Sequence, residues 1–291
     1  MLLLSKFYRA PAAIRTSHRG SHLTISVMRY LVTGLLLLAS LTVYAASSVV
    51  SAPAKAWPDG RVAALSLTYD DALASQLDIA IPELDKRGLS ATFYITIESP
   101  VFLARSQEWQ QAAKNGHELG NHTLIHPCYG SSVIPDRDWI TEESDLSNYS
   151  VARVVREAKL ANDILQMLDQ QQRRSFAYPC GDTSAAQTSF IDAIQPLFVA
   201  ARHGGNQTSL AQRYQLPSYA AVDVDGDAMI DYVKSIMASG TFGSITFHGV
   251  GGDYLSVSAQ AHRKLLDFLA ANKQQLWVAT VKEVADYYYA P

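Results

Sequence analysis

The chain alternates between short apolar runs and longer stretches in which apolar residues recur every three or four positions. Residues 62–69 (VAALSLTY), 91–97 (ATFYITI), 117–120, 175–179, 197–201, 243–247 (GSITF) and 276–279 read as strands. Residues 75–87, 106–115, 151–169, 226–239, 256–271 and 281–289 read as helices. In 151–169 apolar residues at 151, 154, 155, 158, 164, 165 and 168 follow a helical period. Gly88 and Gly116 stand where the first two helices should stop. Strand–helix alternation of this kind predicts an α/β fold, a parallel sheet with outer helices. Six to eight such units in about 230 residues fit one (β/α) barrel, complete or distorted, a single domain at 61–291, rather than two domains.

The first 60 residues follow another pattern. Arg29 precedes an uncharged apolar run at 31–44, and Val43-Tyr44-Ala45 has small residues at the two positions a signal peptidase reads. Residues 1–45 are therefore expected to be a signal peptide, with Met28 as the probable true start. The run is shorter than the roughly 20 residues of a membrane span. A secreted or periplasmic protein with no stable membrane anchor after cleavage is the expectation. Residues 46–60, rich in small residues and Pro, read as a linker.

Charge sharpens the picture. The net charge is −3, but five of the 24 basic residues and none of the 27 acidic ones lie in 1–45, leaving 46–291 at −8. That balance argues against a partner held by phosphate neutralisation, so no nucleic acid is expected. Two cysteines exclude a four-cysteine zinc site. In an exported chain Cys128 and Cys180 are either bridged or two small buried side chains.

The polar residues of interest collect at the ends of expected strands. Asp70-Asp71 end the first. His122 and His126 (H-T-L-I-H) follow the third. Tyr178 to Asp182 (Y-P-C-G-D) follow the fourth, and His248-Gly249 end the strand at 243–247. In a parallel barrel the carboxyl ends of the strands share one face, where active sites are built. Two adjacent acids point in different directions, so one can bind a metal while the other accepts a proton. Two histidines four apart can present both imidazoles to one divalent ion. Histidine with carboxylate suits Zn²⁺, Co²⁺ or Ni²⁺ better than Mg²⁺ or Ca²⁺. His117-Glu118 imitates a zinc-protease motif, but the next histidine comes five residues after His117 rather than four. Asp223 to Asp227 (D-V-D-G-D) hints at a calcium loop, yet the glycine is misplaced, and a turn or helix cap is the better reading.

Together these motifs resemble the polysaccharide deacetylases, carbohydrate esterase family four, over nearly all of 61–289. T-Y-D-D resembles the family's first motif, G-H-E-L-G-N-H-T-L-I-H-P its second, F-A-Y-P-C-G its third and I-T-F-H-G its fifth. The resemblance implies a distorted β/α barrel carrying a metal-dependent deacetylase. By position, Asp71, His122 and His126 would hold a divalent metal, Zn²⁺ first, with Co²⁺ or Ni²⁺ fitting. Asp70 would be the general base and His248 the general acid, with the Cys180 backbone N–H in the oxyanion hole. The implied substrate is an acetylated oligo- or polysaccharide, either N-acetyl (chitin- or peptidoglycan-like) or O-acetyl (hemicellulose-like). The third motif departs from the family, with Ala177 where an Arg usually orients the base. Arg202, after the strand at 197–201, is a candidate replacement. Asp223 or Asp225 is the candidate for the fourth-motif acid that tunes the catalytic histidine. A non-catalytic glycan-binding barrel and a metal-dependent hydrolase of a non-sugar amide are the alternatives.

Overall fold

The computed structural model describes residues 56–205 and 209–290. The expected signal peptide at 1–45 and most of the linker lie outside the described residues. A compact unit comprises Ala52–Pro291. Within it Trp57, from the stretch read as linker, is buried and donates its Nε1–H to Gly240 O at 3.2 Å.

Ten strands are present among the described residues: β1 (Ala63–Asp70), β2 (Thr92–Ile95), β3 (Glu118–Asn121), β4 (Phe176–Ala177), β5 (Ser184–Ala185), β6 (Thr188–Ser189), β7 (Ala201–Arg202), β8 (Tyr219–Ala220), β9 (Phe242–Phe247) and β10 (Leu276–Val278). Eight form one sheet in the order β7-β4-β3-β2-β1-β9-β8, with β10 on the start of β1, and every pairing is parallel. All eight residues of β1 are buried, as expected for a central strand covered on both faces. The two ends of the sheet approach each other through Leu216. Its N–H donates to Ala201 O at 2.8 Å and its carbonyl accepts the His203 N–H at 2.8 Å, just ahead of β8. The result is the expected distorted barrel, closed by single bridges rather than by a full ladder. The ribbon β5–β6 is antiparallel and was not legible in the sequence.

Helices α1 (Ile81–Asp85), α2 (Pro100–Ala104), α3 (Ser106–Lys114), α4 (Val151–Asp169), α5 (Ile191–Ile194), α6 (Gly226–Ser239), α7 (Ala259–Ala271) and α8 (Val281–Tyr288) connect the strands. Their starts follow side-chain chemistry. Ser150 caps α4, Asp225 caps α6, Ser258 caps α7, and Thr280 with Glu283 forms a capping box on α8. The expected helix at 75–87 opens instead with a wide turn of i→i+5 bonds at Gln76–Ala80. Pro82 follows, and it has no N–H to bond the carbonyl four residues back. The expected strand at 197–201 shrinks to β7, because 195–197 form a 3-10 turn.

An aromatic ladder crosses the middle of the sheet. Tyr69 stacks on its register partners Phe93 at 4.8 Å and Phe247 at 5.0 Å. Its hydroxyl is hydrogen-bonded to His262 Nε2 on α7 at 2.7 Å. Burial pushes the His262 imidazole down to about 3, so the ring stays neutral. An unfolded histidine takes its proton near 6.5. Below that pH the unfolded chain binds a proton that the folded chain refuses. The folded state therefore loses stability as pH falls from about 6.5 towards 3. In His262→Phe the unfolding free energy, measured by urea titration between about pH 6.5 and 4.5, should fall less steeply by up to about 1.4 kcal/mol per pH unit. Parallel slopes in the two proteins would refute this.

Candidate active site

The site stands at the carboxyl ends of β1, β3, β4, β7 and β9. After β1 the backbone turns left-handed, with φ of 76° at Asp71 and 56° at Ala72. Non-glycine residues hold that conformation only when their surroundings demand it. Here the Asp71 N–H donates to Tyr94 O at 3.1 Å, and the Ala72 carbonyl accepts the Ser99 hydroxyl at 2.8 Å. Asp70 and Asp71 thus face different partners.

Asp71 Oδ1 lies 3.4 Å from His122 Nε2 and 3.3 Å from His126 Nε2. The His122 Nδ1–H donates to Ala177 O at 2.9 Å, which assigns the tautomer and leaves the Nε2 lone pair facing the carboxylate. A lone pair opposite a carboxylate oxygen needs a proton or a cation between them. Asp71 Oδ1 is buried without a hydrogen-bond partner among the described residues. A tetrahedral ion with bonds of about 2.1 Å holds its ligands about 3.4 Å apart, which matches both distances. The three donors therefore fit a divalent cation.

The electrostatics agree. Burial drives the Asp71 carboxyl up, but His122, His126 and His248 together outweigh it and hold it well below the usual carboxylate range. Burial, with help from His122, pulls His126 down to about 4. At neutral pH Asp71 is anionic and His126 is neutral. Burial also pulls His122 down, but Asp70 and Asp71 outweigh it and raise that ring.

Asp70, 4% exposed, pairs through Oδ2 with Arg202 Nη2. The guanidinium reaches in from β7, donates from Nη1 to Thr246 Oγ1 at 2.9 Å, and lies 5.1 Å over the Tyr94 ring. Gly120 makes room for that ring, since a Cβ there would meet Tyr94 Cδ1 at 2.5 Å. Arg202 is the direct register partner of Ala177 on the neighbouring strand. Asp70 Oδ1 is buried without a partner.

His248 Nε2 stands 4.0 Å from Asp70 Oδ2 and 3.8 Å from Asp71 Oδ2, and its Nδ1 has no hydrogen-bond partner among the described residues. That corrects the expectation for Asp223. Asp223 is exposed and makes no hydrogen bond or ion pair with His248; its N–H donates to Ser256 O at 3.0 Å in the turn before α6. Asp225 is occupied as the N-cap of α6, accepting the Ala228 N–H at 2.8 Å. The start of α6 has taken the Asp225 side chain. His117 and Glu118 are structural. His117 joins Ala91 N and Asp85, and Glu118 accepts from Ser175 N, Thr92 Oγ1 and Lys282 N.

Cys180 is bonded to Cys128 across 52 residues. The Cys180 backbone has φ of 55°, and the turn bonds run from Gly181 to Tyr178 O and from Asp182 to Pro179 O, passing over the Cys180 N–H. The bridge joins the oxyanion candidate to the loop of His126, whose Nδ1 lies 3.5 Å from Cys128 Sγ. The Cys128→Ser, Cys180→Ser double variant should lose about 2–4 kcal/mol of unfolding free energy, the typical range for a disulfide. Unchanged urea midpoints would refute it.

Two contacts were missed in the sequence. The buried Gln76 amide donates to Asp70 O at 2.6 Å and to His248 O at 3.0 Å, tying the ends of β1 and β9 together. A glutamine on the inner side of an amphipathic segment was the available signal. The Tyr254 hydroxyl donates to Asp71 Oδ2 at 2.9 Å, from a glycine-rich loop that offered no such signal.

Residues 59–193 match the family model for polysaccharide deacetylase. Among solved structures, the Xyl-CE4 domain of a multidomain xylanase from the hindgut metagenome of Trinervitermes trinervoides is 16% identical, with a TM-score of 0.51 over 77% of this chain and 90% of that one. A family 4 acetyl xylan esterase from Clostridium thermocellum, in complex with cobalt, is 17% identical, with a TM-score of 0.51 over 78% and 93%. At such identities these likenesses carry the fold. A gellan lyase from a Bacillus species is 28% identical over 79 residues, a stretch of 27% of this chain but only 3% of that protein's length.

Proposed function

Residues 59–193 belong to the polysaccharide deacetylase family, and from that premise we propose that this chain is a metal-dependent hydrolase that removes acetyl groups from a glycan. The reading takes Asp71 Oδ1, His122 Nε2 and His126 Nε2 as the donors for Zn²⁺ or Co²⁺, which would supply Lewis acidity to the attacking water and the acetyl oxygen. Asp70 acts as general base. Its Oδ2 is taken by Arg202, so the unpaired Oδ1 is the oxygen left to accept the proton of the water. The Cys180 N–H donates to the developing oxyanion. His248 Nε2, 4.0 and 3.8 Å from the two carboxylates, gives a proton to the departing amine or alcohol.

The observation that carries the reading is the pair of imidazole nitrogens 3.3 and 3.4 Å from one orphaned carboxylate oxygen, beside a second carboxylate gripped by arginine. The missing third-motif arginine had favoured a non-catalytic barrel. With Arg202 on Asp70, that support lapses. Export remains part of the proposal, supported by the leader pattern and by the disulfide.

The test is acetate release by the chain from Ala46, loaded with Zn²⁺ or Co²⁺, on acetylated chitooligosaccharides, peptidoglycan and acetylated xylan. Release from at least one is expected, and that glycan names the substrate. Bound metal without release from any of them would overturn the reading.

A further inference from the structure

The two oxygens of Asp71 have different surroundings. Oδ1 faces both imidazoles and is buried without a hydrogen-bond partner among the described residues. Oδ2 accepts the Tyr254 hydroxyl at 2.9 Å, a contact to which the mechanism gives no task. His248 Nε2 is 3.8 Å from the same oxygen, beyond hydrogen-bond range. The Tyr254 O–H therefore fixes which edge of the carboxylate turns towards the imidazoles.

The loop around Tyr254 is built to deliver that hydroxyl. Its neighbours on either side are held left-handed, with φ of 61° at Asp253 and 46° at Leu255. Such backbone persists in non-glycine residues where the surrounding structure over-determines it, and it gathers at functional sites. Here Gly249 N donates to Tyr254 O and Val257 N to Gly249 O, both at 3.1 Å, and Gly251 N donates to Val257 O at 2.8 Å. A Cβ at Gly249 would meet Gly252 O at 2.0 Å, so a loop closed this tightly requires glycine there. Ser75 N donates to Asp253 Oδ2 at 2.8 Å, and Val250 N donates to Ser75 Oγ at 3.0 Å. These bonds tie the loop to the segment that follows Asp71 in the chain. Tyr254 itself is 53% exposed, so packing into the core does not account for the strain beside it.

We infer that Tyr254 is a positioning residue for the metal: its hydroxyl locks the Asp71 carboxylate so that Oδ1 is aimed between His122 Nε2 and His126 Nε2. The inference rests on reading Asp71, His122 and His126 as the metal donors, and it adds a residue outside that set. A carboxylate free to turn must give up that freedom each time it binds an ion. One already fixed by an O–H donor has given it up on folding. Hydrogen-bond partners of ligating carboxylates are typically worth about 10–100-fold in metal affinity or activity.

The test titrates metal-free protein with Zn²⁺ in competition with a chromogenic chelator. In Tyr254→Phe, which keeps the ring and removes the hydroxyl, the zinc dissociation constant should rise about tenfold. The melting temperature of the metal-free variant should match that of the metal-free parent, because the exposed hydroxyl acts on a ligand and not on the fold. Acetate release by Tyr254→Phe should fall at limiting zinc and recover towards the parent as zinc is raised. An unchanged or lower zinc dissociation constant in Tyr254→Phe would overturn the inference, and so would a weaker affinity that merely follows a lowered metal-free melting temperature. A parent that takes up no zinc would sink the metal reading and the inference together. A parent that binds zinc but releases acetate from no glycan would sink the deacetylase reading alone, and the zinc titration would still decide the role of Tyr254.

Discussion

Asp70→Asn should lower kcat for acetate release by about 10³-fold, within the range for loss of a general base. KM and metal content should stay near parent values, because Asp70 is not among the three donors that lie together around Asp71 Oδ1. The amide keeps the shape of the carboxylate and removes both its basicity and its charge. The change also leaves the Arg202 guanidinium, 5% exposed, without its counter-charge. Breaking a buried pair from one side destabilises by about 3–5 kcal/mol. The assay therefore belongs well below the melting temperature of the variant, with bound metal measured in the same samples. A folded, metal-loaded Asp70→Asn protein that keeps more than a tenth of the parent kcat would remove Asp70 from the mechanism.

Arg202→Ala should be the next largest loss, about 10²-fold in kcat, since an unheld base is misaligned with its water. Loss of activity alone would not separate positioning from folding. Register supplies the control. Ala177 and Arg202 are paired residues on adjacent parallel strands, so their side chains leave the same face of the sheet about 4.8 Å apart. In the Arg202→Ala background, Ala177→Arg can send a guanidinium towards Asp70 through the space just vacated. The double variant should recover at least tenfold in kcat, and Ala177→Met, which fills the volume without charge, should not. Equal recovery by both would mean that packing, not the ion pair, is what Arg202 contributes.

Much of the barrel was legible. The central strands are continuous apolar runs because a parallel sheet is covered on both faces, and β1, buried along its whole length, could be read directly. Helices α4, α6 and α7 carry a clear period and a Ser or Asp cap. The two-residue strands β5 and β6 could not be read, because a strand that short has no period. The wide turn at Gln76–Ala80 was missed because its cause, Pro82, sits beyond it.

The candidate site divides along the same line. Polar residues at strand ends, and two histidines four apart, are local facts. By itself the sequence determined that Asp70, Asp71, His122, His126 and His248 would meet on one face, since strand period and parallel order suffice for that. Only the tertiary structure decided which carboxylate faces the imidazoles, through a left-handed turn held by hydrogen bonds from distant residues. It also decided that Arg202, 132 residues from Asp70, pairs with it, that Cys128 is bonded to Cys180, and that Asp223 makes no hydrogen bond or ion pair with His248. Periodicity is a property of neighbours in the chain. These four outcomes depend on strand register and on contacts between segments far apart in sequence, and no local spacing encodes those.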